Sequence, residues 1–338
     1  MPLVTFEAAL ERVREGRVPH LLLGNGFSRA CREDIFAYTA LFDRADFNQL
    51  SPLARQSFDL LGTTDFEVVM RALRDAARLL TIYGPENLEI AAQLQRDADG
   101  LREVLVHAIA DNHPGYPGEI EGERYAACRR FLARFDNIYT LNYDLLLYWA
   151  VMQAELPPPV HSDDGFRTPE EGQEEYVTWE PGRHAQNIHY LHGALHIFDA
   201  GIEVKKYTWT NTGVRLIDQI RAALNDGLYP IFVAEGETAQ KFERIRHSDF
   251  LSKAYRSFQE IGNALFVYGH AMAPNDDHII RLIGRGRVKQ LFVGIYGDEN
   301  TENNQLVRRK VETLQGMRPA RRPLEATYFD AASANVWG

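Results

Sequence analysis

The sequence predicts an α/β fold, a mostly parallel sheet with helices on both faces and one helical insertion. Three observations predict it. Short apolar runs alternate with stretches of helical periodicity along the chain, the pattern of a parallel sheet covered on both sides. Several runs stop abruptly at Gly, Asn or His: Leu23-Gly24, Leu141-Asn142, Leu191-His192 and Tyr268-Gly269. One long stretch, about 45–112, reads as helix throughout and marks the insertion. The plan is Rossmann-like, and 1–338 reads as one domain.

The elements follow in order. Phe6, Ala9, Leu10 and Val13 set a first helix at about 5–16. A strand at 20–24 breaks into the turn Gly24-Asn25-Gly26-Phe27-Ser28, with a helix expected to start near Ser28. In 65–83, Phe66, Val69, Met70, Leu73, Ala77 and Leu80 recur at three and four, an amphipathic face. Leu101, Val104, Leu105, Ala108 and Ile109 do the same over about 99–110, and His113-Pro114-Gly115 breaks the pattern. A helix at about 121–134, a strand at 137–141 and a helix at about 144–154 lead to Pro157-Pro158-Pro159. The region 157–186 is then read as a long loop, a candidate lid. A strand at 187–191 precedes a hairpin over 195–209 that turns at Asp199-Ala200-Gly201. Helix 214–226, strand 229–234, helices over about 238–261, strand 264–268, helix 276–284, strand 290–295, helix 302–315 and a strand at about 324–329 complete the series.

Composition narrows the function. With 45% hydrophobic and 25% charged residues the chain reads as an ordinary globular protein. No apolar run reaches the roughly 18–20 residues that cross a bilayer, and the first helix has no signal-peptide pattern. Two cysteines, Cys31 and Cys128, exclude a disulfide scaffold and a four-cysteine zinc site, and fit a reducing cytoplasm. A net charge of -10 argues against a chain built to grip nucleic acid, and Arg308-Arg309-Lys310 reads as a solvated helix face.

The residues that can carry chemistry fall just past strand ends, where open sheets of this type bind ligands. Glycines in Gly24-Asn25-Gly26-Phe27-Ser28 would let backbone amides approach an anion, and Ser28 would cap the next helix or bond a phosphate oxygen. A plain strand-to-helix turn has the same look. Asn142 and Asp144 suit a helix N-cap, and Asn142 equally suits a ribose or water, because an amide both donates and accepts. His192, before Gly193, is either a satisfied histidine at a strand end or a base near pH 7. His189 and His196 lie close in sequence, but they do not share a strand face or helix with His192, so no metal site is expected. Gly269-His270-Ala271 would admit a nucleotide, and Asn275 or Asp276 would cap the helix after it. There is no Gly-x-Ser-x-Gly elbow and no placed cysteine–histidine pair.

The order of these pieces resembles the sirtuins. That family carries Gly-Ala-Gly-x-Ser, Thr-Gln-Asn-x-Asp, His-Gly, Phe-Gly-Glu and Gly-Thr-Ser with a downstream Pro. The chain has Gly24-Asn25-Gly26-Phe27-Ser28, Thr140-Leu141-Asn142-Tyr143-Asp144, His192-Gly193, Ala234-Glu235-Gly236-Glu237 and Gly269-His270-Ala271 with Pro274, in that order. Asn142-Tyr143-Asp144 is closer to the Thr-Asn-Tyr-Asp form of the divergent sirtuin-like bacterial defence effectors. The zinc cysteines of sirtuin deacylases are missing, Leu141 replaces their Gln, and His270 stands where they have Thr.

The resemblance implies an NAD hydrolase, a latent antiphage effector that releases nicotinamide and ADP-ribose. NAD is then substrate rather than cofactor, and no zinc is expected. It assigns catalysis to Asn142 and His192. It assigns substrate binding to Gly24, Asn25, Gly26, Ser28, Thr140, Asp144, Gly236, Gly269 and His270. A homo-oligomer, with a HerA-like ATPase or other defence partner, would be the working form. A nucleotide-sensing subunit without catalysis and an ADP-ribosyltransferase are the alternatives.

Overall fold

Leu21 and Leu23 face one side of the central sheet and Leu22 the other, and all three are fully buried. A strand covered on both faces is the mark of a parallel sheet sandwiched by helices. The computed structural model describes residues 3–14, 16, 18–168, 176–182, 185–208, 213–233 and 238–338, the side chains of 238–240 excepted. Its strands are β1 (His20–Leu23), β2 (Ile138–Thr140), β3 (Phe166–Arg167), β4 (Tyr176–Trp179), β5 (Ile188–Tyr190), β6 (Gly193–Asp199), β7 (Val204–Tyr207), β8 (Pro230–Phe232), β9 (Gly262–Tyr268), β10 (Arg287–Ile295) and β11 (Glu325–Asp330).

Six strands form a wholly parallel sheet in the order β11-β10-β9-β1-β2-β5. Counted along the chain and read from the β5 edge, this is 3-2-1-4-5-6, the order of a doubly wound Rossmann-like sheet. The order reverses between β1 and β9, where chain connections leave to opposite sides. One core holds Leu21, Leu23, Ile138, Phe266 and Phe292 with residues of helices Phe6–Glu11, Gly122–Leu132 and Leu146–Met152. The other holds Leu22, Tyr139, Leu265, Val267 and Val293 with residues of helices Asp249–Glu260, Asp277–Arg285 and Glu302–Gly316.

The helical insertion is present. Helices Pro52–Leu61, Phe66–Leu80 and Leu88–Asn112 fill most of the expected span. Asp65 starts the second of these, its carboxylate accepting from the amides of Glu67 at 2.9 Å and Val68 at 3.4 Å. Phe66, Val69, Met70, Leu73 and Ala77 form its buried stripe. The helix read at about 99–110 begins earlier and runs over Leu88–Asn112.

Two expectations need correction. The strand read at 229–234 is not part of the parallel sheet. β8 runs antiparallel to β6 at the edge of a second sheet, ordered β3-β4-β7-β6-β8. Pro230, which has no N–H to give, suits that edge position. The region 157–186 is likewise not a free loop where it is described. It supplies β3 and β4, and Asn187 and Asp163 tie its base together, Asn187 N–H to Asp163 O at 2.8 Å and Asp163 N–H to Asn187 Oδ1 at 2.8 Å. Glu170-Glu171-Gly172 lies outside the described residues, as does Gly236. The hairpin expected over 195–209 is the β6–β7 pair. Among the described residues no helix is long and apolar enough to cross a membrane.

Candidate functional site

The glycine turn after β1 and the Gly269 loop after β9 cross in contact, at the point where strand order reverses. A Cβ on Gly26 would lie 2.5 Å from Gly269 Cα, and one on Gly24 would lie 2.7 Å from Gly269 O and from His270 Cα. Gly269 itself has φ of +68°, a left-handed conformation that glycine adopts without strain. The glycines are therefore explained by two backbones passing each other.

This changes the role expected of the turn. The amide of Gly24 donates to Tyr268 O at 3.0 Å and that of Gly26 to Gly269 O at 2.8 Å. Phe27 N donates to Gly24 O at 2.9 Å and Ser28 N to Asn25 O at 3.1 Å. These amides are matched to carbonyls and do not form a waiting anion cradle. Helix Gly26–Cys31 starts two residues before Ser28, so Ser28 does not cap it, and Asn25 turns its side-chain amide to Phe36 O at 3.1 Å.

Ser28 instead joins the end of β2. Its hydroxyl donates to Asp144 Oδ2 at 2.5 Å and accepts from Asn142 Nδ2 at 2.9 Å. Asp144 Oδ1 accepts the amide of Leu146 at 2.9 Å, which secures the start of helix Leu146–Met152. Thr140 Oγ1 accepts the amide of Asn142 at 3.0 Å. Burial pushes the Asp144 carboxyl up, against the pull of the Ser28 hydroxyl. Asp144 thus orients Ser28 and, through it, Asn142. The Asn142 carbonyl oxygen carries no hydrogen bond among the described residues and is the end of the amide available to a ligand.

His192 stands where the chain leaves the parallel sheet for the antiparallel one, between β5 and β6. Gly193 follows because β8 presses against it. A Cβ there would lie 1.9 Å from Ile231 O, and φ is +82°. His192 is 2% exposed, and its Nε2 lies 2.9 Å from Nε2 of His278, the rings stacked at 5.1 Å. Burial, with the Lys241 ammonium second, holds His192 well below the usual histidine range, so it is neutral at pH 7.

Around that pair lies a charged cluster that motif reading missed. Lys241, 0% exposed, donates to Glu67 Oε2 at 2.7 Å and to Asp276 Oδ1 at 3.2 Å. Asn275 Nδ2 donates to the same Glu67 oxygen at 2.6 Å. Neither Asn275 nor Asp276 caps helix Asp277–Arg285 as expected; both side chains turn into the cluster. His270 accepts the Met272 amide on Nδ1 at 2.8 Å, so its proton is on Nε2, which faces Asp276 Oδ2 at 3.0 Å. Both ring nitrogens are committed, and a phosphate contact by His270 is not available in this arrangement. Burial alone would raise Asp276, but Lys241 and His270 hold it well below the carboxylate range. Tyr143, just after β2, reaches this cluster: its hydroxyl lies 3.4 Å from Glu67 Oε1 and 3.0 Å from Val233 O, and its ring 6.2 Å from that of His192. Asp276 and His278, two residues apart at the start of a helix, were the one signal in the sequence. Glu67 and Lys241 offered none.

His192, Asp276 and His278 place one ligand-type atom each within 4.8 Å of one another, a set able to hold a metal ion. The Lys241 ammonium already meets the Asp276 charge at 3.2 Å and opposes a second cation there. His189 and His196 do not gather with them. His189 stacks on Tyr139, and His196 packs between Tyr148 and Tyr190. A cleft of about 290 Å³ flanks β8, lined by Tyr229, Phe232, Val233 and Arg244 among others, and Asn142, His192, Lys241, Asp276 and His278 do not line it.

The family model described as "Domain of unknown function (DUF4917)" matches residues 21–337, nearly the whole chain. The chain belongs to the DUF4917 family. Comparison with curated proteins gives no match. The DUF4917 match begins in β1 and runs past β11, so it takes in the glycine crossing, Asn142, His192 and the Lys241 cluster together. In this DUF4917 chain four adjacent strands, β9-β1-β2-β5, deliver Gly269, Gly24, Asn142 and His192 to one edge of the sheet.

Proposed function

We propose that this DUF4917 protein hydrolyses NAD to ADP-ribose and nicotinamide. The observation that carries the reading is the placement of Asn142 and neutral His192 past the adjacent strands β2 and β5, on the same carboxyl edge of the sheet as the reversal of strand order between β1 and β9. Dinucleotides bind at that point in doubly wound sheets. Nicotinamide leaves as a neutral base from a cationic ring, so the sugar becomes oxocarbenium-like at C1′. The protein has to hold the ribose, admit one water and take one proton. The Asn142 carbonyl oxygen is available for a ribose hydroxyl or the water. A histidine kept neutral by burial is in the state that accepts a proton. The serial likeness to the sirtuin-like defence effectors supplies the choice of NAD and the proposed role in NAD depletion.

One observation favours a second reading. Asn142 is 9% and His192 2% exposed, so the site is nearly closed. A closed site fits a latent enzyme, and it also fits a subunit that senses a nucleotide without cleaving it. Nicotinamide release from NAD, measured beside His192→Ala and Asn142→Ala, separates the two. Release that falls about 10²-fold or more in both variants supports the hydrolase. Bound NAD with no release from the intact protein, alone or in infected-cell lysate, favours the sensor. Release unaffected by His192→Ala removes His192 from the reaction.

A further inference from the structure

We propose that His278 is a positioning residue that fixes the tautomer of His192, so that His192 meets the substrate through Nδ1. This rests on the hydrolase reading above and adds residues to the same site.

His192 Nε2 and His278 Nε2 face each other at 2.9 Å. Two neutral imidazoles at that distance share one proton: one nitrogen donates and the other accepts. The proton cannot sit on both without charging the pair, and the charged form is disfavoured. Burial lowers both rings, His278 to about 4. Because Nε2 of His192 is taken up by this bond, Nδ1 is the nitrogen left for a reacting water. Nδ1 is a base only when His192 carries its proton on Nε2. His278 must therefore be the acceptor, with its own proton on Nδ1.

The nearest charge favours this assignment, while the buried His278 Nδ1 meets no hydrogen-bond partner among the described residues. Asp276 Oδ1 lies 3.8 Å from His192 Nε2 and its charge favours a proton on that side. Lys241 is bound to the same oxygen at 3.2 Å and to Glu67, so it limits how far Asp276 can draw the proton away. His270 donates to the other Asp276 oxygen and holds that carboxylate in place. Tyr143 lies against the His192 ring, with its hydroxyl turned to Val233 O.

The bond from ribose C1′ to the nicotinamide nitrogen breaks, and its electron pair leaves with nicotinamide. Water oxygen bonds to C1′. The water proton goes to His192 Nδ1, and the resulting imidazolium keeps its Nε2–H bonded to His278, with Asp276 offsetting the charge. The proton then returns to solvent. His278 touches no reacting atom.

The test joins spectroscopy to kinetics on the full chain. Long-range proton–nitrogen correlation of histidine-labelled protein reads the His192 tautomer directly. Wild type is expected to show the proton on Nε2, His278→Ala to lose that preference, and His278→Gln, whose Oε1 accepts a hydrogen bond, to restore it. With NAD, His278→Ala is expected to lose about tenfold or more in kcat with KM changed by less than about twofold, and His278→Gln to recover most of it. Thermal melts identify any variant that fails to fold, and His278→Gln then carries the comparison against wild type. An Nδ1–H tautomer in wild type overturns the proposal. So does a His278→Ala protein that keeps either the Nε2–H tautomer or the wild-type kcat. Activity lost to a chelator and restored by zinc also overturns it, by making the trio a metal site. A wild-type protein that binds NAD and releases no nicotinamide defeats the hydrolase reading alone, and the tautomer measurement still decides the role of His278.

Discussion

Lys241 is the residue on which the site's charges turn. It is fully buried, and the Glu67 and Asp276 carboxylates more than offset the effect of burial, so the ammonium is held charged. Removing it leaves two carboxylates in the interior without their shared cation. Lys241→Met is expected to cost about 3–5 kcal/mol, read as a shift in the urea midpoint. Adding Glu67→Gln to that variant should return part of the loss, because one of the two stranded charges is gone. An unchanged midpoint in Lys241→Met would mean that the cluster is solvated in solution. At this scale the sequence was uneven. Asn142 and His192 could be found because each ends an apolar run. Lys241 and Glu67 could not, since their pairing joins residues 174 positions apart. A charged residue on a helix reads as solvent-facing until the partner that buries it is known.

At the scale of elements, the glycine turn shows how a correct location can carry the wrong role. Gly24 and Gly26 do lie at the switch point, but their amides are spent on the β9 loop and their missing side chains let two backbones cross. Gly26→Ala puts a methyl group 2.5 Å from Gly269 Cα, where no flexible side chain can yield. It is expected to destabilise the protein by about 1–3 kcal/mol and, on the proposed reading, to weaken NAD binding, measured by thermal melting and calorimetry. Equal stability and affinity in Gly26→Ala would show that the crossing is loose. Helices were legible here because period 3.6 is a local property. The stripe Phe66, Val69, Met70, Leu73 and Ala77 needs no knowledge of its neighbours. Strand partners were not legible. β8 and β9 are both short apolar runs, yet one joins the antiparallel sheet and the other the parallel one. Backbone hydrogen bonding decides this, and apolar patterning does not encode it.

For the whole molecule, buried histidines couple stability to pH. His113 links the end of helix Leu88–Asn112 to the start of helix Leu146–Met152. Its Nδ1–H donates to Pro114 O at 3.0 Å, and its Nε2 accepts the Leu145 amide at 3.1 Å. Burial lowers it to about 4. The unfolded chain takes up this proton near pH 6.5 and the folded protein does not. The stabilising contribution is therefore complete above about pH 6.5 and lost as pH falls toward 4. Between pH 7 and 5 it amounts to about 2 kcal/mol. Glu67, pushed up by burial, titrates with the opposite sign, so the total slope mixes both. His113→Gln isolates one term. Its unfolding free energy should fall about 2 kcal/mol less than that of wild type over this interval, and equal slopes would show that His113 is already accessible to protons.

By itself the sequence determined the α/β class, the helical insertion, the order of the pieces at the strand ends and the two residues on which the proposed chemistry rests. These depend on periodicity and on where apolar runs stop, which are properties of neighbouring residues. Tertiary structure alone decided the 3-2-1-4-5-6 order, the second sheet, the crossing of the glycine loops and the Glu67–Lys241–Asp276 cluster around the histidine pair. Each of these is a contact between distant segments. Such contacts form only when burial makes an unpaired amide or an isolated charge too costly to leave alone.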